Sequence, residues 1–287
     1  MTNLNSQPQS NAITPFPENL ECKWSDRGTK PAEQLDQTYC PLSEFTALRK
    51  RLGMSNILFP RTKTPEDELQ ILDDDPVIKA LGDYKFSNFS MEPASINFLK
   101  QVILQTKPQN ILEFGSGIST SVLSQAQQDA LRNDKSSQKP HFVSVDQSDE
   151  FMAGTKDMLE RSGCDQFVNT LVCPIRKYRL STGDEFSCYE FNEKELHKAF
   201  EGQRPDMVLI DGPVGGGPHG IAFARFLTVT MSNLLCADQA LIMLDDAYRD
   251  TEIQMMVTWP KMYPELDIMG VKLVGKGTMV ARVNRSR

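Results

Sequence analysis

A short stretch near the middle of the chain combines an acid with two glycines, Glu113-Phe-Gly115-Ser-Gly117-Ile-Ser-Thr120. The apolar residues before it predict a strand over 110–114, and those after it predict a helix over about 120–131. Glycines between a strand and a helix let the backbone approach a ligand where any Cβ would collide. The motif therefore predicts a ligand site at the end of this strand. The alternative is a structural strand-to-helix turn.

The acid two residues before the first glycine narrows the choice of ligand. A carboxylate repels a pyrophosphate but attracts the cationic sulfonium end of S-adenosylmethionine (SAM), which carries no phosphate. The third glycine of a dinucleotide fingerprint is absent, because Thr120 stands at its position. We therefore expect Glu113, Gly115, Ser116 and Gly117 to bind SAM, with Glu113 meeting its methionine end directly or through water.

A second acid, Asp146, follows the predicted second strand. Such an acid can accept hydrogen bonds from both ribose hydroxyls of an adenosine. It lies 33 residues after Glu113 (146 minus 113), which exceeds the roughly 20 residues of a compact dinucleotide unit. The polar loop at 133–140 accounts for the difference. NAD would also need this acid, so Asp146 predicts an adenosine without separating the two ligands.

Two further predicted strands end in acids, the first in Asp211 and the second in Asp245 and Asp246. Three carboxylates at one sheet edge repel one another unless they are solvated, protonated or neutralised by a cation. A divalent ion such as Mg²⁺ would neutralise them and polarise a hydroxyl. Alternatively, Asp211 caps the loop 212–217, Asp246 caps the following helix, and Arg249 pairs with one of the acids.

The elements that must position these residues alternate between strands and helices over nearly two hundred residues. The pattern predicts strands at 110–114, 141–145, 167–173, 207–210 and 240–244, helices at about 120–131, 149–162, 192–201, 219–235 and 249–258, an irregular stretch at 178–191, and a closing hairpin from segments near 267–274 and 277–284. Such alternation predicts a doubly wound, mostly parallel α/β sheet with helices on both faces. Ligands bind beyond the carboxyl ends of these strands, where every candidate residue falls.

The chain is expected to have three parts. Residues 1–40 are polar and aperiodic, which predicts a poorly ordered N-terminal segment. Residues 41–89 carry short helical signals and are expected to form a helical cap or extension. Residues 90–287 form the α/β domain.

The overall composition limits the partners and the compartment. The net charge of −7 opposes phosphate backbones and anionic lipid surfaces, which argues against nucleic-acid and membrane partners. The first ten residues lack a signal-peptide pattern, and no apolar run reaches membrane-spanning length. The six cysteines have no metal-ligand spacing and are expected to be reduced, packed thiols. We expect a soluble, cytoplasmic protein, and a homo-oligomer is compatible with the sequence.

These motifs resemble those of class I SAM-dependent methyltransferases. The likeness rests on the turn from Glu113 to Gly117, on Asp146 and on the fourth-strand motif that ends Leu-Ile-Asp211-Gly-Pro. The LDDAxR motif, which is Leu244-Asp245-Asp246-Ala-Tyr-Arg249, resembles a small, largely uncharacterised subgroup that shares the IDGP motif. The resemblance runs from about residue 90 to the C-terminus. It implies a Rossmann-like seven-stranded sheet of order 3-2-1-4-5-7-6 with the last strand antiparallel.

The resemblance implies methyl transfer from SAM to an oxygen or nitrogen of a small-molecule acceptor, with Asp211 and Asp245 as catalytic residues. The acids that end strands four and five also resemble the metal-binding acids of catechol-type O-methyltransferases. In those enzymes the strand-five pair is Asp-Asn, whereas this chain has Asp245 and Asp246. Two other functions stay open, an NAD(P)-dependent oxidoreductase and a SAM-binding protein without turnover.

Overall fold

The computed structural model describes the chain in segments, which cover residues 14–15, 41, 43–45, 72–82, 84–87, 89–132, 139–179, 185–190, 192–213, 225 and 236–285. Within these segments the strands are β1 (Thr14–Pro15), β2 (Asn110–Phe114), β3 (His141–Asp146), β4 (Val168–Val172), β5 (Ile175–Arg179), β6 (Glu185–Tyr189), β7 (Met207–Ile210), β8 (Leu241–Leu244), β9 (Leu266–Lys272) and β10 (Thr278–Val283). The α-helices with described bounds are α1 (Pro76–Leu81), α2 (Pro93–Thr106), α3 (Ile118–Leu131), α4 (Asp149–Ser162), α5 (Glu193–Ala199) and α6 (Asp250–Met262), and a 3₁₀ turn spans Asp165–Phe167.

Seven of the strands form one sheet in the order β4-β3-β2-β7-β8-β10-β9. Neighbouring strands from β4 to β8 run parallel, whereas β10 is antiparallel to both β8 and β9. In chain order this is 3-2-1-4-5-7-6 with the last strand antiparallel, as the resemblance to class I SAM-dependent methyltransferases implied. The Rossmann-like fold is therefore confirmed, with β7 at the centre of the sheet and β2 beside it.

Both faces of the sheet are buried, as a doubly wound fold requires. Because side chains alternate along a strand, Ile111 of β2 packs on one face and Leu112 on the other. The Ile111 face is covered by apolar side chains of α2, α3 and α4, and the Leu112 face by those of α5 and α6. Trp259, Met255 and Met256 of α6 are core residues.

Helix α4 matters for the site because it runs beside the end of β3. Its first turn is capped by Ser148, whose hydroxyl oxygen accepts from the backbone N–H groups of Glu150 and Phe151. The helix ends at Gly163, which has a left-handed conformation with φ +72°. These caps produce the boundaries 149–162 that the sequence predicted.

Two predicted elements differ from the structure. The stretch 178–191 was expected to be irregular, but β5 and β6 pair there as antiparallel strands, and β1 joins β5 to form a separate three-stranded sheet. The pairing between β1 and β5 joins residues far apart in sequence, which a local pattern does not show. Helix α6 continues past the predicted end at 258 to Met262 and includes the fully buried Trp259 and Pro260.

Several predictions fall mainly on residues outside the described segments. They are the poor order of 1–40, the helical cap over 41–89 and the helix over 219–235, of which Arg225 is described and helical. Cys164, Cys173, Cys188 and Cys236 are buried thiols, as predicted, while Cys22 and Cys40 lie outside the description. None of the described helices is long and apolar enough to cross a lipid bilayer.

Candidate functional site

The glycine turn after β2 packs against the end of β7. The backbone N–H of Gly115 donates to the carbonyl of Val145 at 2.9 Å, and that of Asp211 donates to the carbonyl of Phe114 at 2.8 Å. Gly115 has a φ of +95°, and a Cβ there would lie 3.0 Å from the backbone nitrogen of Gly212. Glycine is therefore needed at position 115 for packing inside the protein. Gly117 differs, because a Cβ there would meet no atom within 4 Å.

Glu113 lies behind the turn and is 1% exposed. Its carboxylate accepts hydrogen bonds from the hydroxyls of Ser119 at 2.7 Å, Thr120 at 2.6 Å and Ser144 at 2.7 Å. Burial raises the pKa of Glu113 to about 7, although the three hydroxyls oppose this shift. In this position Glu113 joins the first turn of α3 to β3, and its predicted role in SAM binding stays a prediction.

Asp146 ties the end of β3 to the glycine turn. Its Oδ2 accepts from the backbone N–H of Ser116 at 3.0 Å and from the Ser116 hydroxyl at 3.1 Å. Its Oδ1 accepts from the backbone N–H of Ser148 at 3.1 Å. Thr155 of α4 donates its hydroxyl to that of Ser116 at 3.0 Å, so three elements meet around one serine. The structure thus brings together Ser116, Gly117 and Asp146, as the sequence predicted.

An open cavity of about 350 Å³ lies at this edge of the sheet. The glycine turn, Asp146 and residues of α4 line it, and so do Tyr84, Ser87, Phe89, Ser90 and Met91. Tyr189, Asp211 and Gly212 also border it. Two aromatic side chains on its rim are exposed, Phe89 by 76% and Phe151 by 49%. The cavity is large enough for a small organic ligand.

Sequence reasoning missed Tyr189 as a site residue. Its side chain is 1% exposed, its ring stacks on Phe114 at 5.6 Å between centroids, and its hydroxyl lies against Gly212. Burial raises the pKa of Tyr189 well above its ordinary value. It belongs to β6, in the stretch that was expected to be irregular.

The three acids that end β7 and β8 converge, as predicted. Asp211, Asp245 and Asp246 each offer a carboxylate oxygen within 4.8 Å of the others. The backbone N–H of Asp245 donates to the carbonyl of Ile210 at 3.0 Å, which places the two strand ends side by side. Asp211 borders the cavity, whereas Asp245 and Asp246 are buried behind it.

Protein cations surround these acids. Arg225 lies 3.3 Å from Asp211 and 3.2 Å from Asp246, and Arg249 lies 2.7 Å from Asp246. Lys276 adds a third cation, 3.6 Å from the other oxygen of Asp246. The predicted pairing of Arg249 with one of these acids is confirmed. The donor set does not fit a resident divalent ion, because cations of the protein already occupy it.

The pKa values of the three acids differ because their contacts with these cations differ. Burial raises the pKa of Asp211 well above its ordinary range, and the charge of Asp245 adds to this effect. Burial and the charge of Asp246 raise the pKa of Asp245 to about 7. Burial would also raise the pKa of Asp246, but Arg225, Arg249 and Lys276 together lower it. Asp246 is therefore the acid held as a carboxylate, while Asp211 and Asp245 take up protons more readily.

Comparisons with known proteins give a structural likeness only. No family model matches the chain, and no curated protein matches it in sequence. The SAH-bound methyltransferase PaMTH1 from Podospora anserina has a TM-score of 0.51 and 13% identity, over 80% of this chain and 99% of that one. The O-methyltransferase TomG from Streptomyces achromogenes, which is involved in tomaymycin synthesis and was solved with SAM, has a TM-score of 0.50 and 14% identity, over 79% of this chain and 100% of that one. The chain therefore has the Rossmann-like fold of SAM-dependent methyltransferases.

Proposed function

We propose that the protein is a SAM-dependent methyltransferase whose acceptor atom is an oxygen of a small molecule, with nitrogen as the alternative. The observation that carries the proposal is the attachment of Asp146 to the glycine turn at the wall of the cavity. A carboxylate has about four acceptor positions, and Oδ1 of Asp146 uses one of its two for Ser148. The remaining position suits a ribose hydroxyl.

The wall beside Asp146 suits the rest of SAM. The backbone of Gly115, Ser116 and Gly117 borders the cavity and leaves room for a methionine end. Glu113 contributes by holding this turn through Ser119 and Thr120. Two proteins that share the fold, TomG and PaMTH1, bind SAM and SAH respectively.

Asp211 is the residue best placed to act on an acceptor. Its side chain is 18% exposed at the cavity wall, and burial together with Asp245 raises its pKa. SAM supplies a methyl group on a positively charged sulphur, which is a good leaving group. As the acceptor oxygen bonds to the methyl carbon, the carbon–sulphur bond breaks toward sulphur and Asp211 takes the hydroxyl proton. Asp245 acts through Asp211 by raising its proton affinity.

The segment before α2 suits the role of a cover over the acceptor. Tyr84, Ser87, Phe89, Ser90 and Met91 line the same cavity as the glycine turn. The exposed rings on the rim would pack on a flat or apolar acceptor. This supports the proposal that residues 41–89 form a cap on a methyltransferase domain of residues 90–287.

Calorimetric titration tests the cofactor. We expect heat from SAH and from SAM, and none from NAD or NADP. If NAD or NADP gave heat while SAH and SAM gave none, the proposal would be wrong and the protein would be better described as an oxidoreductase. A structure with SAH should place its ribose against Asp146, and a pyrophosphate bound at Ser116 and Gly117 would contradict the proposal.

Turnover needs a separate test, because a fold does not guarantee a reaction. The protein is incubated with methyl-labelled SAM and a fractionated metabolite extract, and labelled products are separated by chromatography. We expect label in a small molecule with the wild type and a loss of transfer with Asp211→Asn. SAH binding without transfer across broad metabolite pools would favour a binding protein without turnover.

A further inference from the structure

The guanidinium of Arg225 lies at the centre of the acid cluster. One of its terminal nitrogens contacts the carboxylates of Asp246 at 3.2 Å and Glu252 at 3.4 Å. The other contacts the carboxylate of Asp211 at 3.3 Å. The side chain is 4% exposed, so these contacts are little screened by water.

Arg225 also bonds to the backbone at both strand ends. It donates to the carbonyl oxygen of Asp211 at 2.7 Å and to that of Asp245 at 3.3 Å. The planar fork of a guanidinium matches two such acceptors at once, which an ammonium group does not. One side chain therefore joins the ends of β7 and β8 and also neutralises the acids that follow them.

The charges of the described cluster are almost balanced by the protein itself. Four carboxylates, those of Asp211, Asp245, Asp246 and Glu252, face three cations, those of Arg225, Arg249 and Lys276. Adding a divalent ion would make the cluster positive and would set that ion against buried cations. Separating Asp246 from Arg225 would in turn leave a buried charge without its partner, which is costly.

We propose that Arg225 stands in the position that a divalent ion would occupy between Asp211, Asp245 and Asp246, so that the protein works without a metal. This deepens the proposed function and rests on it. Asp211 is positioned by a guanidinium, which offers no open coordination place to an acceptor. The acceptor is then held by hydrogen bonds rather than by chelation. Arg225 is a positioning residue, because it acts through Asp211.

Binding of Mn²⁺ tests the proposal without any turnover. Free Mn²⁺ has a paramagnetic resonance signal that is lost when the ion binds a protein site. Four proteins are titrated with Mn²⁺. They are the wild type, the single variant Arg225→Met, the double variant that combines Arg225→Met with Asp246→Asn, and the control variant Arg161→Met. Arg161 pairs with Asp157 on α4, outside the acid cluster.

We expect the wild type and Arg161→Met to leave the Mn²⁺ signal intact. Arg225→Met, which removes the guanidinium but keeps an unbranched side chain, should gain one Mn²⁺ site. The double variant, which also carries Asp246→Asn, should lack this site. A stoichiometric site in the wild type that Asp245→Asn abolishes would overturn the proposal, and this result needs no Arg225 variant to fold. A folded Arg225→Met that binds no Mn²⁺ would also overturn it.

A second measurement separates this proposal from the proposed function. SAH is titrated into the wild type with a chelator and, in parallel, with Mg²⁺. Equal SAH affinity in the chelator and in Mg²⁺ supports the metal-free site. Affinity that requires Mg²⁺ overturns the role of Arg225 while the methyltransferase proposal stands, whereas absence of SAH binding in both buffers overturns the proposed function.

Discussion

Gly115 and Gly212 meet through their backbones, and neither position has room for a side chain. A Cβ on Gly212 would lie 3.0 Å from the Cα of Gly115 and 2.1 Å from the hydroxyl oxygen of Tyr189. The two glycines follow neighbouring strands, β2 and β7. Their contact brings the glycine turn to Asp211, which the cavity requires if cofactor and acceptor are to meet.

Gly212→Ala should therefore destabilise the fold, because the added methyl group displaces Tyr189 or the turn. We expect a loss of roughly 1–3 kcal/mol in the free energy of unfolding, measured by urea denaturation. Gly154→Ala is the matched control, since a Cβ there meets no atom within 4 Å and the residue lies inside α4. It should stabilise the helix by up to about 1 kcal/mol. Equal stability of the two variants would contradict the contact.

Asp146→Asn should weaken SAH binding. The amide nitrogen of Asn would face the donors of Ser116 or Ser148, so the turn would lose part of its attachment. We expect at least a tenfold loss of affinity by calorimetry, or about 1.4 kcal/mol. Asp157→Asn is the control, because this acid of α4 is 65% exposed. An unchanged affinity of folded Asp146→Asn would remove the main support for the ribose site.

The edge of the sheet at which the site lies could be predicted from the sequence. Each of β2, β3, β7 and β8 is a short apolar run followed by an acid or a glycine turn, and parallel strands bring these ends together. Local patterns fix such strands because burial on both faces selects apolar residues throughout. The convergence of Asp211, Asp245 and Asp246 follows from the same reasoning.

The neutralising partner of those acids could not be predicted in the same way. Arg225 is separated from Asp211, Asp246 and Glu252 by 14, 21 and 27 residues. Its one signal is a single charge within the apolar stretch Ile-Ala-Phe-Ala-Arg225-Phe-Leu. A buried arginine needs acidic partners, but which acids it meets depends on how the chain folds.

Tyr189 is a second site residue that could not be predicted from the sequence. Tyr189 lies in the hairpin of β5 and β6, and β1, which pairs with β5, comes more than a hundred and fifty residues earlier in the chain. Strand β5 also includes a charged residue, Arg176, which pairs with Glu190. Charged residues weaken the alternation that marks a strand, so the pattern did not indicate one. A buried aromatic residue at the end of such a strand becomes visible only in three dimensions.

The stability of the protein should report the titration of Glu113. Its pKa is raised from 4.5 to about 7 in the folded state, so between these values the folded chain keeps a proton that the unfolded chain loses. This contribution to stability is complete below pH 4.5 and is lost as pH rises through about 7, at about 1.4 kcal/mol per pH unit. In Glu113→Gln the contribution is absent.

The difference in unfolding free energy between wild type and Glu113→Gln should therefore fall across this window and stay constant above it. Urea denaturation at a series of pH values measures this difference. Glu160→Gln, which makes the same substitution at an exposed position of α4, is measured in parallel as the control. A difference that rises with pH would mean that the hydroxyls of Ser119, Thr120 and Ser144 outweigh burial and hold Glu113 as a carboxylate.

Asp206→Ala should separate stability from binding. Its carboxylate accepts from the backbone N–H groups of Gln109 and Asn110 at 2.9 Å each, at the edge of the sheet opposite the cavity. Removing it leaves both donors without this acceptor, so we expect a loss of roughly 1–3 kcal/mol in the free energy of unfolding. SAH affinity at a temperature where the variant is folded should match the wild type. If Asp206→Ala weakened SAH binding as much as Asp146→Asn does, then the effect of Asp146→Asn would reflect general loosening of the sheet, and the assignment of the ribose site to Asp146 would fail.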